Sequence, residues 1–139
     1  MKNNYYLVCS SFFLMGTNIF YINLSNIFCI NNLLLSLLAN NFVLSVLFWN
    51  NPIEKSLIHK FDAFFARLSI SLFSFYVFFL KHTFIQNKIY YLFFLMLSMK
   101  FFYNGTYYSQ QKWCCDKHIL NHMFFHLFIG IGVSYAFIL

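Results

Sequence analysis

Apolar residues along this chain fall into five blocks, Tyr5–Ile22, Ile27–Trp49, Phe61–Leu80, Ile89–Tyr103 and Ile119–Leu139, separated by short polar connections. Within each block the apolar character is continuous, without the alternation of a barrel strand, and each block is too long to be one. A helix rises about 1.5 Å per residue, so roughly 20 residues cross about 30 Å of hydrocarbon. The second, third and fifth blocks meet that length. The first is marginal, and the fourth carries Lys100 near its end, a charge whose long stem lets it snorkel to the interface. The pattern predicts an all-α, polytopic transmembrane bundle of about five helices, forming a single membrane-embedded helical domain over residues 1–139.

The connections carry their own signals. Asn23–Asn26 predicts a tight hairpin, and Pro52 after Asn50-Asn51 ends the second helix, because proline disfavours helical geometry in the residue before it. Ser56 is the expected cap of the third helix. The stretch from Asn104 to Lys117 reads as the longest polar connection, folded onto the headgroup surface. Lys2 ahead of an apolar run has the outline of a secretory leader, but no small-x-small cleavage pattern follows, so the first block is expected to be a membrane helix.

Composition agrees with a bilayer as solvent. Hydrophobic residues make up 61% of the chain and charged residues only 9%, too few to coat a water-soluble body, and 22 Phe with 10 Tyr exceed what such a surface hides. The net charge of +6 is scattered between apolar blocks with no basic stripe, which argues against nucleic acid as a partner. With five spans, Lys2, Lys55, Lys60, Lys100, Lys112 and Lys117 share one side and Lys81 and Lys88 the other, so the positive-inside rule predicts a cytoplasmic N-terminus in an integral, multi-pass membrane protein. Membrane lipids are the expected partners, with a helical membrane protein as a further one. Cys9, Cys29, Cys114 and Cys115 lack the spaced pairs of a structural zinc knuckle.

Ionisable residues inside apolar helices are the informative exceptions, because burying them is expensive. His118, His122 and His126 recur every four residues and therefore share one helical face. His118 and His126 stand about 12 Å apart along the axis, too far to grip one ion, which leaves His122 and His126 as the natural pair. His59 and Asp62 occupy the start of the third helix, and Ser45 and Trp49 one face at the end of the second. In a five-helix bundle these positions meet at one membrane depth. They read as a zinc centre with His59, His122 and His126 as ligands, Asp62 as proton acceptor and Ser45 as donor to a developing oxyanion. The alternative reading is structural: histidines hydrogen-bonded between helices, and Asp62 paired with Arg67 or Lys60.

The order of these motifs resembles a superfamily of heptahelical membrane proteins that includes alkaline ceramidases, progestin and adiponectin receptors and haemolysin-III-like proteins. That superfamily carries Ser-x-x-x-His, then an Asp on the following helix, then His-x-x-x-His on the last; the matching residues are Ser45, Asp62 and the pair His122 and His126. The resemblance implies a Zn2+-dependent intramembrane lipid amidase or a related noncatalytic metal-binding protein, and it rests on Ser45–Arg67 and Asp116–Gly130. The fourth residue after Ser45 is Trp49 where the superfamily has histidine, and five blocks stand where it has seven helices. A structural membrane subunit and an ion or proton transporter using the histidine ladder are the competing functions.

Overall fold

The computed structural model of the chain describes residues 4–22, 29–82 and 84–137. They form five helices: α1 (Asn4–Ile22), α2 (Cys29–Asn50), α3 (Leu57–Phe75), α4 (Ile85–Gln111) and α5 (Asp116–Phe137). The fold is an all-α bundle of the polytopic membrane type. Three helical stretches, Ile30–Asn50, Leu57–Leu80 and Asp116–Phe137, are long and apolar enough to cross a membrane. The expected hairpin at Asn23–Asn26 lies outside the described residues.

Helix ends follow the local chemistry. α2 stops at Asn50, two residues before the buried Pro52. Ser56 caps α3, its Oγ accepting a hydrogen bond from His59 N at 3.2 Å. α3 ends in a π-helical turn over Tyr76–Leu80, closed by Lys81 N donating to Tyr76 O at 2.8 Å. One boundary differs from the sequence pattern: Asn104–Gln111, read as part of a connection, continues α4, and only Lys112–Cys115 link it to α5. Polarity alone does not end a helix. Thr106 and Ser109 return their hydroxyls to the helix's own carbonyls, Phe102 O and Thr106 O, and no proline intervenes.

The packing order is not the chain order. α4 lies along α5, α3 along α2, and α1 is wedged between α2 and α5. Small residues set the close approaches: a Cβ on Gly130 would lie 3.3 Å from Phe13 O of α1, and one on Gly132 would lie 3.3 Å from Phe94 Cβ of α4. In lipid such close packing, rather than expulsion of water, holds helices together. Leu34, Leu38, Phe73, Val77, Tyr91, Phe125, Ile129 and Val133 form the main core. Outside it, Phe12, Phe64, Phe79, Phe93 and Met96 face outward, as lipid contact requires.

α3 packs along α2 and α4 along α5, and the two outer helices approach each other near the end of α3 and the start of α4. There Tyr91 OH and Ser74 Oγ are 2.9 Å apart. Toward the other end they stand apart, and α2 and α5 floor the space between them.

Candidate functional site

That space is a cavity of about 850 Å³, within the range of small-molecule sites. Its wall changes along the bundle. Toward the end where α3 and α4 are joined it is mostly apolar, with Leu38, Ile70, Phe73, Ile129 and Val133, interrupted by Asn41, Ser69 and Tyr91. At the other end it holds Ser45, His59, Asp62, Arg67, His118, His122 and His126, together with Trp49 and Trp113. Every residue that sequence reasoning assigned to a site therefore lines the same cavity: Ser45 from α2, His59 and Asp62 from α3, His122 and His126 from α5.

The four-residue step on α5 stacks its imidazoles edge to face. Ring centroids are 6.0 Å apart for His118 and His122 and 4.7 Å for His122 and His126. Trp49 sits across from them, 4.7 Å from His122 and 5.9 Å from His118. His59 is turned to other work: its Nδ1 accepts a hydrogen bond from Lys55 N at 3.0 Å, and its ring stacks on Phe48, 4.6 Å away and within 7° of parallel. Asp62 is half-buried and makes no ion pair; the pair among the described residues is the exposed Lys55–Glu54 contact of 3.7 Å. Neither Arg67 nor Lys60 reaches Asp62, so the structural alternative for that carboxylate has no counterpart here.

A three-ligand zinc centre requires nitrogen donors converging on one point. Among the described residues no three His, Cys, Asp or Glu side chains are grouped to hold a metal ion. His122 and His126 supply a neighbouring pair, and the His59 ring packs against Phe48 and Trp113. The donor set as placed does not fit a zinc ion bound by three protein ligands.

The end beside this polar wall is closed by the two connections that flank it. Trp113 Nε1 donates to Pro52 O at 3.0 Å, and the Trp113 ring packs against Trp49, His59 and His118. Lys55 and Cys114, one in each connection, adopt left-handed backbone with φ of 60° and 54°, a conformation that costs a non-glycine residue about 1 kcal/mol. Cys115 caps α5 with its sulfur, which accepts from His118 N at 3.5 Å. Burial, then the neighbouring Cys115 and Glu54, push the Cys114 thiol above its ordinary range.

Two residues escaped sequence reasoning altogether. Ser10 and Ser11 of α1 are buried behind the polar wall. Ser10 Oγ lies 3.0 Å from His126 Nδ1, and Ser11 Oγ lies 3.0 Å from Ser45 Oγ. Both hydroxyls also lie within hydrogen-bond distance of Leu7 O, at 2.9 and 3.0 Å. In the sequence they are small polar residues inside an apolar block, with nothing local to mark them. Asn41 ties α2 to α3 in a similar way, its Nδ2 donating to Leu37 O at 3.0 Å and to Ser69 Oγ. Three enclosed polar atoms among the described residues have no partner: Asn41 Oδ1, Trp49 Nε1 and His118 Nδ1, all on residues of the cavity wall.

Comparison with protein families, with curated proteins and with solved structures finds no match for this chain.

Proposed function

We propose that this protein binds a lipid-like amphiphile within the membrane, the chain of the ligand in the apolar part of the cavity and its polar head against the histidine wall. The observation that supports this is the graded lining of one cavity, from Phe73, Ile129 and Val133 at one end to Ser45, Asp62, His122 and His126 at the other. A ligand matched to that gradient is itself apolar at one end and polar at the other, and it resides in the same bilayer as the protein. The test uses purified protein in detergent and a fluorescent single-chain amphiphile accepting energy from Trp49 and Trp113. Saturable transfer in the wild type, lost in Ala66→Trp, which fills the cavity from α3, is the expected result. Transfer that is linear in probe concentration, or equal in the variant, ends this reading.

A second reading, zinc-assisted hydrolysis of a lipid amide, draws on the adjacency of His122 and His126 beside Ser45 and Asp62 and on the order of motifs along the chain. It needs a third ligand brought to the histidine pair, and we route no chemical step through a metal. Elemental analysis of wild type beside the double variant His122→Ala/His126→Ala decides it. One zinc per folded chain, absent from the variant, sustains the reading and makes a lipid-amide assay worthwhile; a folded, metal-free wild type defeats it.

A further inference from the structure

The contacts behind the polar wall determine where protons sit. Leu7 O is a carbonyl oxygen and accepts only; Ser10 Oγ and Ser11 Oγ approach it to 2.9 and 3.0 Å. Two oxygens that close without a hydrogen between them repel, so each serine gives its one hydroxyl proton to Leu7 O. Each must then act as acceptor in its other contact. The 3.0 Å contact with Ser10 consequently places a proton on His126 Nδ1, and the 3.0 Å contact with Ser11 is made by the Ser45 hydroxyl proton.

What remains on the cavity side follows from that accounting. α1 contributes none of the described residues that line the cavity, and it engages His126 through Nδ1. The opposite ring nitrogen, Nε2, is turned away from α1 and carries a lone pair. Ser45, its proton spent on Ser11, presents lone pairs as well. Sequence reasoning gave Ser45 the role of a hydrogen-bond donor; the serine pair behind it gives this wall the opposite polarity.

We propose that Ser10 and Ser11 are positioning residues that order the protons of His126 and Ser45, so that this wall accepts hydrogen bonds and selects an amphiphile whose head carries an N–H or O–H donor. The inference rests on the lipid-binding reading for its ligand class, but not for its proton order. A head bearing only acceptors, such as a tertiary amide, meets lone pairs at both His126 and Ser45 and loses the hydrogen bonds it had in water. A head with an N–H, such as a secondary amide, keeps its bond.

Two measurements test the two halves. Nitrogen-15 histidine spectra of the detergent-solubilised full chain, with His126→Gln identifying the signal, report which ring nitrogen is protonated. A proton on Nδ1 is expected in the wild type and in Ser11→Ala, and loss of that single tautomer in Ser10→Ala. A wild-type proton on Nε2 overturns the proton order without need of any Ser10 variant, and an unchanged tautomer in folded Ser10→Ala reduces Ser10 to packing. For ligand class, binding of N-dodecylacetamide is compared with its N-methyl tertiary analogue. About five- to tenfold tighter binding of the secondary amide is expected, the effect of one hydrogen bond, with the difference narrowed in Ser10→Ala and in Ser11→Ala. Equal binding of the two amides overturns the assigned polarity while leaving the cavity a binding site. Binding of neither defeats the lipid-binding reading and the ligand class with it, and the spectra still decide the proton order.

Discussion

The two ends of this bundle handle polar side chains differently. At the end where α3 and α4 are joined, polar groups close on one another or on the backbone. Lys81 Nζ donates to Ala136 O at 2.6 Å and lies over the Tyr76 ring, Tyr76 OH donates to Asn31 Oδ1 at 2.9 Å, and Ser74 pairs with Tyr91. At the histidine end, among the described residues, Asp62 has no ion-pair partner, and Trp49 Nε1 and His118 Nδ1 are enclosed without a hydrogen bond. An unpaired buried polar atom costs roughly 1–3 kcal/mol. The joined end closes its polar groups on one another, whereas the histidine end mixes paired groups, Ser10 with His126 and Ser11 with Ser45, with polar atoms that have no partner.

This contrast predicts that substitutions at the joined end lower stability and spare binding, and that substitutions at the histidine end do the reverse. The largest stability effect is expected from Leu34→Ala, a buried core position outside the cavity wall. In lipid the loss is one of packing alone, so about 2 kcal/mol is expected, the low end for such truncations, measured as thermal unfolding in detergent with amphiphile affinity unchanged in the surviving folded fraction. Tyr91→Phe removes the hydroxyl contact with Ser74 and should cost about 1 kcal/mol. A loss no greater than that of an outward-facing control, Phe93→Leu, would show that the joined end is not held by its polar pairs.

Asp62→Asn should leave the unfolding temperature unchanged or raise it, since a half-buried carboxylate without a partner is replaced by a neutral group of the same shape. The same substitution should change amphiphile affinity several-fold. A destabilised Asp62→Asn with unaltered binding would reverse the contrast between the ends. The smallest effect is kinetic. Because its thiol is held above the ordinary range, Cys114 carries less thiolate than an unperturbed cysteine and should be alkylated more slowly by a water-soluble maleimide near pH 8, the rate rising as pH is raised further. A rate at pH 8 equal to that of a free thiol would show the roof over the histidine wall to be open.

Much of the scaffold was legible in the residues because its signals are local. Pro52 ends α2 and Ser56 caps α3 where the chain says so, and apolar run length alone gives α2, α3 and α5. The gathering of Ser45, His59, Asp62, His122 and His126 around one cavity follows from short connections that return successive helices to the same end. What was hidden depends on long-range contacts. Ser10 meets its partner 116 positions away, and no periodicity within α1 distinguishes a serine that orders a histidine from one that pads a helix. The orientation of His59 was hidden for a related reason, since Phe48 and the Lys55 backbone claim its ring only after the connection has folded. The end of α4 was misjudged because hydroxyl side chains that look like loop residues bond within their own helix.

The length of α4 carries a consequence for how the molecule stands at the water boundary. At 27 residues it measures about 40 Å against a hydrocarbon slab of about 30 Å. Tyr103 and Tyr107 are both more than half exposed, placed as rings that float at headgroup level. The turn beyond them carries the wall of the cavity past those rings, with Thr106, Ser109 and Gln110 among its lining, so the length of α4 sets how far the polar end of the cavity extends.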